Sequence, residues 1–323
     1  MKYRKCGESG IFLPELSLGL WHNFGGTDDF DEARRMILTA FENGICHFDL
    51  ANNYGTPAGS AETNFGRVLK SDLLPHRDEL FISSKAGHDM WQGIYGTGSS
   101  RKSLIASCDQ SLRRTGLDYF DVFYSHRYDG TTPIEETMQA LIDIVRSGKA
   151  LYAGISKYPP ELQPHCYRIL REAHVPCLVS QYRCSIFDTK ARSQNFNAAV
   201  ENGSGIVCFS PLAQGLLTDK YLNGIPENSR AAKATGFLKT SQVTPERIEA
   251  ARKLNAIAEK RGESLASMAL NWILADKRVT SIIIGASSVS QLKANIESIN
   301  GQEFSDTELA EIQSIAEHAE IQF

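Results

Sequence analysis

Eight short apolar runs, each ending in a polar tip and most separated by a helix-forming segment, constrain this chain more than any other feature. The first is Leu16-Ser17-Leu18-Gly19. The others are Ile45 to Phe48, Leu80 to Ser83, Phe120 to Tyr124, Ala150 to Ile155, Leu178 to Ser180, Ile206 to Phe209 and Ser281 to Ile284. Runs of this kind read as strands buried on both faces, as in parallel sheets covered by helices. Between them, Phe30 to Asn43 places Ala33, Ile37, Ala40 and Phe41 on one helical face and stops at Gly44. Further helices are expected over Glu62 to Leu69, Arg101 to Leu112, Pro133 to Gly148, Pro245 to Arg261, Leu265 to Ala275 and Val289 to Ile299. Ser305 with Glu308 has the spacing of a capping box for a last helix ending near His318.

Eight strand–helix units in 323 residues predict an α/β fold of the (β/α)8 TIM-barrel type. A doubly wound open sheet is the alternative, but no Gly-x-Gly-x-x-Gly follows the first strand to favour it. Residues 2 to 14 read as a β-hairpin around Gly7-Glu8-Ser9-Gly10, placed to plug the N-terminal mouth. The Gly-, Asn- and Ser-rich stretch Leu212 to Thr244, after the seventh strand, is too long for a passive connection and is expected to be a functional loop. With no linker of domain-boundary composition, residues 1–323 are expected to form a single domain.

The net charge of −4 without a Lys/Arg run argues against nucleic acid or an anionic membrane as partner. No apolar run is long enough to span a bilayer, and the basic start Met1-Lys2-Tyr3-Arg4-Lys5 has no signal-peptide core behind it. Seven scattered cysteines without a Cys-x-x-Cys pair suggest neither a disulfide framework nor a metal site, and fit a reducing cytoplasm.

In a barrel the C-terminal strand ends meet on one rim. That rim would gather Asp49 and Tyr54 after the second strand, Lys85 after the third and His126 after the fourth. Each has an ordinary structural explanation alone; together they suggest a site. A nearby lysine ammonium favours a phenolate, so Lys85 is expected to lower the pKa of Tyr54. Asp49 would balance the lysine, and a neutral His126 would hydrogen-bond the oxygen being protonated. The set suits protonation of an oxyanion formed from a carbonyl. Neither Tyr nor Lys can supply a hydride, so a nicotinamide cofactor is required. His47 lies within its strand and reads as a packed structural histidine.

Several separated motifs, in order, resemble the aldo-keto reductase superfamily. They are Gly19-Leu20-Trp21, His47-Phe48-Asp49-Leu50-Ala51-Asn52-Asn53-Tyr54-Gly55, Ser84-Lys85, Asp121-Val122-Phe123-Tyr124-Ser125-His126, Gly154-Ile155-Ser156, Phe209-Ser210-Pro211-Leu212 and Ile284-Gly285-Ala286-Ser287. Leu18 to Gly25, Ala86 to Trp91 and Ser147 to Tyr152 are similar to the bacterial L-glyceraldehyde 3-phosphate reductase group, near the potassium-channel beta subunits.

The resemblance implies NADPH-dependent reduction of small aldehydes or ketones, with NADH as the second cofactor candidate and carbonyl detoxification as a role. It implies Tyr54 as general acid, Lys85 and Asp49 as its tuning pair and His126 as the group orienting the carbonyl. By the same likeness, Phe209 stacks on the nicotinamide beside Trp21, while Ser156 and Gln181 bind its carboxamide. Ser210, Leu212, Gly215 and Leu216 line the pyrophosphate, and the long loop after strand 7 closes over the cofactor. Lys220, Ser229 and Arg230 meet its phosphates; Gly285, Ser287, Gln291 and Asn295 hold the adenosine end.

Two departures stand out. Tyr182-Arg183-Cys184-Ser185 replaces the Tyr-Asn-like pattern of relatives and alters a pocket wall. The segment from Ser287 to Gln291 lacks the Arg that many relatives carry, so preference for a 2′-phosphate rests on Arg230 and Lys220. Trp21, His22, Trp91 and Arg127 are the substrate-pocket candidates, with Arg127 or His22 able to meet a substrate phosphate. Relatives also imply a homo-oligomer. The competing function is a cofactor-binding regulatory subunit like the channel beta subunits. The chain's start almost directly at the hairpin, with no extension to act on a partner, weighs toward the enzyme.

Overall fold

The computed structural model describes residues 1–226, 231 and 238–321. Eight parallel strands close on themselves: β3 (Leu16–Gly19), β4 (His47–Asp49), β5 (Phe81–Ala86), β6 (Phe120–Ser125), β7 (Ala150–Ser156), β8 (Cys177–Arg183), β9 (Gly205–Phe209) and β10 (Val279–Ile284). The last strand pairs with both β9 and β3, so there is no sheet edge and the open doubly wound alternative is excluded. Seven of the eight are almost wholly buried, which is why their sequences are continuous apolar runs rather than alternations.

The antiparallel hairpin β1 (Tyr3–Lys5) and β2 (Phe12–Pro14) precedes the barrel. Cys6 and Leu13 from this hairpin pack with Val122, Tyr124, Val179, Val207 and Ile283 in one apolar cluster, so it closes one end of the barrel interior. The fit is tight at Gly205, where a Cβ would fall 2.4 Å from Cys6 Sγ; only glycine leaves room for the plug.

Helices cover the outside: α1 (Phe30–Glu42), α2 (Ser60–Val68), α3 (Arg101–Thr115), α4 (Ile134–Arg146), α5 (Gln163–Glu172), α6 (Lys190–Gln194), α7 (Phe196–Glu201), α8 (Pro245–Lys260), α9 (Leu265–Ala275), α10 (Val289–Glu297) and α11 (Asp306–Glu317). The ends follow local chemistry. The Asp29 carboxylate accepts from the backbone N–H of Asp31 and Glu32 to start α1. The expected Ser305/Glu308 capping box starts α11. Pro133 is the residue before α4 rather than its first member, and α2 continues through a wider turn over Leu69–Leu73. The segments α5 to α7 are unmarked in the sequence reading; α6 and α7 are only 5 and 6 residues long, whereas α5 buries Gln163, Cys166, Tyr167 and Leu170 at helical spacing.

The stretch after β9 is not free chain where it is described. Leu216, Leu217, Tyr221 and Leu238 are buried, and short 3-10 turns form at Ala213–Gly215, Asp219–Tyr221 and Thr240–Gln242. Among the described residues no helix is long and apolar enough to cross a membrane.

Candidate active site

Parallel register and a two-residue period bring the polar tips together. Asp49 is the register partner of Gly19 on β3 and Ser83 on β5. Two residues beyond Ser83, on the same face of β5, lies Lys85. Its Nζ donates to Asp49 Oδ2 at 2.5 Å and to the Leu50 carbonyl at 2.7 Å. The other carboxylate oxygen of Asp49 accepts from Ser83 Oγ at 2.9 Å and from Gln181 Nε2 at 3.0 Å. Asp49 and Lys85 are both buried. A buried ion pair persists only where the remaining hydrogen-bonding capacity is met, and here both partners have additional contacts.

A polar chain continues beneath this pair into the barrel core. Ser281 Oγ lies 2.6 Å from Ser17 Oγ, Ser17 Oγ 2.8 Å from His47 Nδ1, and His47 Nε2 3.1 Å from Ser83 Oγ. The sequence reading of His47 as a satisfied structural histidine fits this placement. It also adds something unforeseen, because through Ser83 the imidazole is one bond removed from Asp49. Burial holds His47 in its neutral form, with a pKa lowered to about 4.

The ring of Tyr54 lies 5.1 Å from Lys85 Nζ, 6.0 Å from Trp21 and 6.0 Å from the edge-on ring of His126. Its phenol departs from the sequence expectation. Burial pushes its pKa well above the ordinary range, and the negative charge of Asp49 adds to the effect. Lys85 does not reverse this, because its charge is already balanced by Asp49 at 2.5 Å. The buried His126 is driven well below its ordinary pKa, by burial first and then by Lys157, Lys85, His88 and Arg127. It is therefore a neutral ring near neutrality. Its Nδ1 has no hydrogen-bond partner among the described residues.

A cleft of about 310 Å³ opens beside these groups. Trp21, His22, Asp49, Tyr54 and Phe209 line one part of it; Ser210, Leu212, Gly215 and Lys220 line another, and Gly285, Ser287 and Gln291 a third. Gln291 Oε1 accepts from both the backbone N–H and the hydroxyl of Ser287. Ser156 and Asn295 are buried and do not line the cleft; the Ser156 hydroxyl and Asn295 Nδ2 have no partner among the described residues. Leu216 sits in the core instead of lining the cleft, and Gln181 spends an amide hydrogen on Asp49. Trp91 lies 39% exposed in the loop after β5 and does not line the cleft. Arg127 donates to the Gly87 carbonyl and to Thr97 Oγ1. Ser229 and Arg230 lie outside the described residues.

Sequence reasoning missed His88 and Lys157 on this rim and gave Arg183 only a place in an altered pocket wall. The signal for Arg183 was its place two residues beyond Gln181, on the same face of a strand that runs through Arg183 instead of stopping at Gln181. Lys157 directly follows the tip of β7, in a left-handed conformation (φ 55°) that composition does not announce.

Barrel and rim together define an enzyme class, and the sequence agrees: it matches the Aldo/keto reductase family over residues 15–317, so the chain belongs to that family and is an oxidoreductase. It is similar to proteins named L-glyceraldehyde 3-phosphate reductase from Escherichia coli strain K12 and from Escherichia coli O157:H7. Each is 52% identical over 317 residues, spanning 97% of this chain and 91% of the relative.

Proposed function

We propose that this protein reduces small aldehydes or ketones to alcohols with NADPH, and that glyceraldehyde 3-phosphate and methylglyoxal-like carbonyls are the substrate class. The observation that carries the reading is the placement of Tyr54 between the buried Lys85–Asp49 pair and the neutral His126, at the edge of the cleft. The names of the Escherichia coli relatives point to the phosphorylated triose within that class.

The cleft is read as the site of a nicotinamide dinucleotide, and two buried groups outside its lining support the reading. The buried hydroxyl of Ser156 and amide of Asn295, both unpartnered among the described residues, are polar groups of the kind a ligand satisfies. Ser156 would take the carboxamide; Phe209 and Trp21 would cover the ring; Ser210, Leu212, Gly215 and Lys220 would meet the phosphates; Ser287, Gln291 and Asn295 would hold the adenosine end. Among the described lining residues Lys220 is the cation that would favour the additional phosphate of NADPH over NADH. When bound, the reduced cofactor supplies the hydride that no side chain of this site can provide.

The chain's own part is to bind, orient and protonate. His126, held neutral, can donate a hydrogen bond to the carbonyl oxygen without bringing a full charge into the site. Tyr54 stays protonated throughout the neutral range because its pKa is raised. That favours retention of the proton until an alkoxide-like oxygen, a far stronger base than a phenolate, develops beside it. Lys85, its Nζ 5.1 Å from the ring centre, forms with Asp49 the buried pair beside the phenol; burial lowers the Lys85 pKa and the Asp49 carboxylate opposes that shift. To test the reading, purified protein is mixed with NADPH and, separately, glyceraldehyde 3-phosphate, methylglyoxal and an aromatic aldehyde. Consumption of NADPH with the matching alcohol as product supports it. No consumption with these or with a broader carbonyl panel overturns it.

A further inference from the structure

We propose that the C-terminal ends of β5 to β8 form an anion subsite, built by His88, Arg127, Lys157 and Arg183, that holds the phosphate of a phosphorylated carbonyl substrate. This rests on the reductase reading above and adds where the substrate's charged tail is bound.

Each of four successive strands contributes one of these groups. His88 lies two residues past β5, Arg127 two past β6, Lys157 one past β7, and Arg183 ends β8. They converge in space. Lys157 Nζ is 2.7 Å from His88 Nε2, and the His88 ring stands edge-on to His126 at 4.4 Å between centres. The arc therefore adjoins the ring that meets the carbonyl oxygen. Phe209 closes its other side, with Lys157 Nζ 6.0 Å and the Arg183 guanidinium 5.6 Å from its ring centre.

Among the described residues the cations Arg127, Lys157 and Arg183 gather in this arc, with Asp188, in the loop beyond β8, acting on Arg183 and Asp89 on His88. Among the described residues no carboxylate pairs with Lys157, and the charges acting on it are the cations Arg183, Lys85 and Arg127. Arg127 donates to two neutral acceptors. Cations facing one another raise each other's energy, and burial first, then repulsion from Arg183, Lys85 and Arg127, lowers the Lys157 pKa to about 7. A doubly charged anion would relieve the repulsion and draw Lys157 fully into its charged form. The arc lies on the β5–β8 side of Phe209, whereas the cleft proposed for the cofactor is walled by the β3, β9 and β10 ends. A phosphate here would belong to the substrate, a short chain away from a carbonyl beside Tyr54 and His126.

The test compares glyceraldehyde 3-phosphate with glyceraldehyde, which share the reacting carbonyl. Lys157→Asn suits the left-handed backbone at that position, and Arg183→Gln is a second, independent variant. Each is expected to lower the ratio of kcat/KM for the phosphorylated over the plain substrate by about ten- to a hundredfold, chiefly through KM, because a charge-assisted hydrogen bond is removed. Lys157→Arg should restore most of the ratio. In parallel, glycerol 3-phosphate, which has no carbonyl, is titrated calorimetrically into protein saturated with NADP+. Wild type should bind it and Lys157→Asn should bind it at least about ten times more weakly. A ratio within about twofold of wild type in both variants, or unchanged glycerol 3-phosphate affinity, overturns the subsite. Failure to reduce either aldehyde would sink the assigned activity instead, and the titration would still decide the subsite.

Discussion

Lys85 Nζ lies 2.5 Å from Asp49 Oδ2, with the lysine side chain fully buried and the aspartate nearly so. The pair is expected to matter more for function than for stability. Removing one partner of a buried pair leaves a desolvated charge and destabilises by about 3–5 kcal/mol, whereas removing both does not. Asp49→Asn and Lys85→Met should each lower the urea midpoint sharply. The double variant should recover more than half of the lost stability while remaining without turnover. Additive losses in the urea titration would mean that the two side chains act independently, contrary to the geometry.

Ser156 offers a second prediction with two readouts of opposite sign. Its buried hydroxyl has no hydrogen-bond partner among the described residues. Ser156→Ala should therefore leave the free protein as stable as wild type, or more stable by up to about 1 kcal/mol. The same change should weaken NADP+ binding about two- to tenfold, because the hydroxyl's proposed partner is the cofactor. Loss of stability with unchanged cofactor affinity would show that the hydroxyl serves the fold.

The barrel was legible in the sequence because strands buried on both faces must be apolar throughout, and all eight runs from Leu16 to Ile284 became its staves. Asp49, Lys85, Tyr54 and His126 were legible as a group because the fold sends strand tips to one rim. The direction of the Tyr54 shift was not. It depends on how much water the phenol loses and on whether Lys85 is already neutralised, and both are properties of packed geometry. The bond from Gln181 to Asp49 crosses from β8 to β4, and spacing along the chain cannot announce it. The Lys157–His88 contact joins residues 69 apart in sequence, and reads as two solvated rim charges until the strands are assembled.

His47 makes acid stability a probe of the polar chain under the site. Its pKa falls from 6.5 unfolded to about 4 folded, so between those values the unfolded chain holds a proton that the folded one refuses. The associated stability is fully present above pH 6.5 and is lost as pH falls toward 4, by about 3 kcal/mol over the whole window. His47→Gln should destabilise at pH 7, because Ser17 and Ser83 lose a fitted partner. The gap between variant and wild type should narrow at pH 4.5. Urea titrations at the two pH values measure this, and a gap that does not change would mean that the imidazole titrates normally.

Tyr54 is the group on which the proposed chemistry turns. Tyr54→Phe preserves the ring that stands 6.0 Å from both Trp21 and His126 and removes only the proton donor. With the apolar packing kept, NADP+ affinity should stay within about twofold of wild type, while kcat falls by about 10²–10⁴. Because burial and Asp49 hold the phenol above its ordinary pKa, the wild-type rate should not decline through loss of this proton until the pH exceeds the ordinary phenol range. An alkaline limb near neutrality would instead have to come from another group, and Lys157, with a pKa of about 7, is the candidate on this rim. The pH profile of Lys157→Arg separates the two. The limb moves to higher pH if Lys157 is responsible and stays in place if Tyr54 is. Full turnover in Tyr54→Phe would remove the phenol from the mechanism altogether.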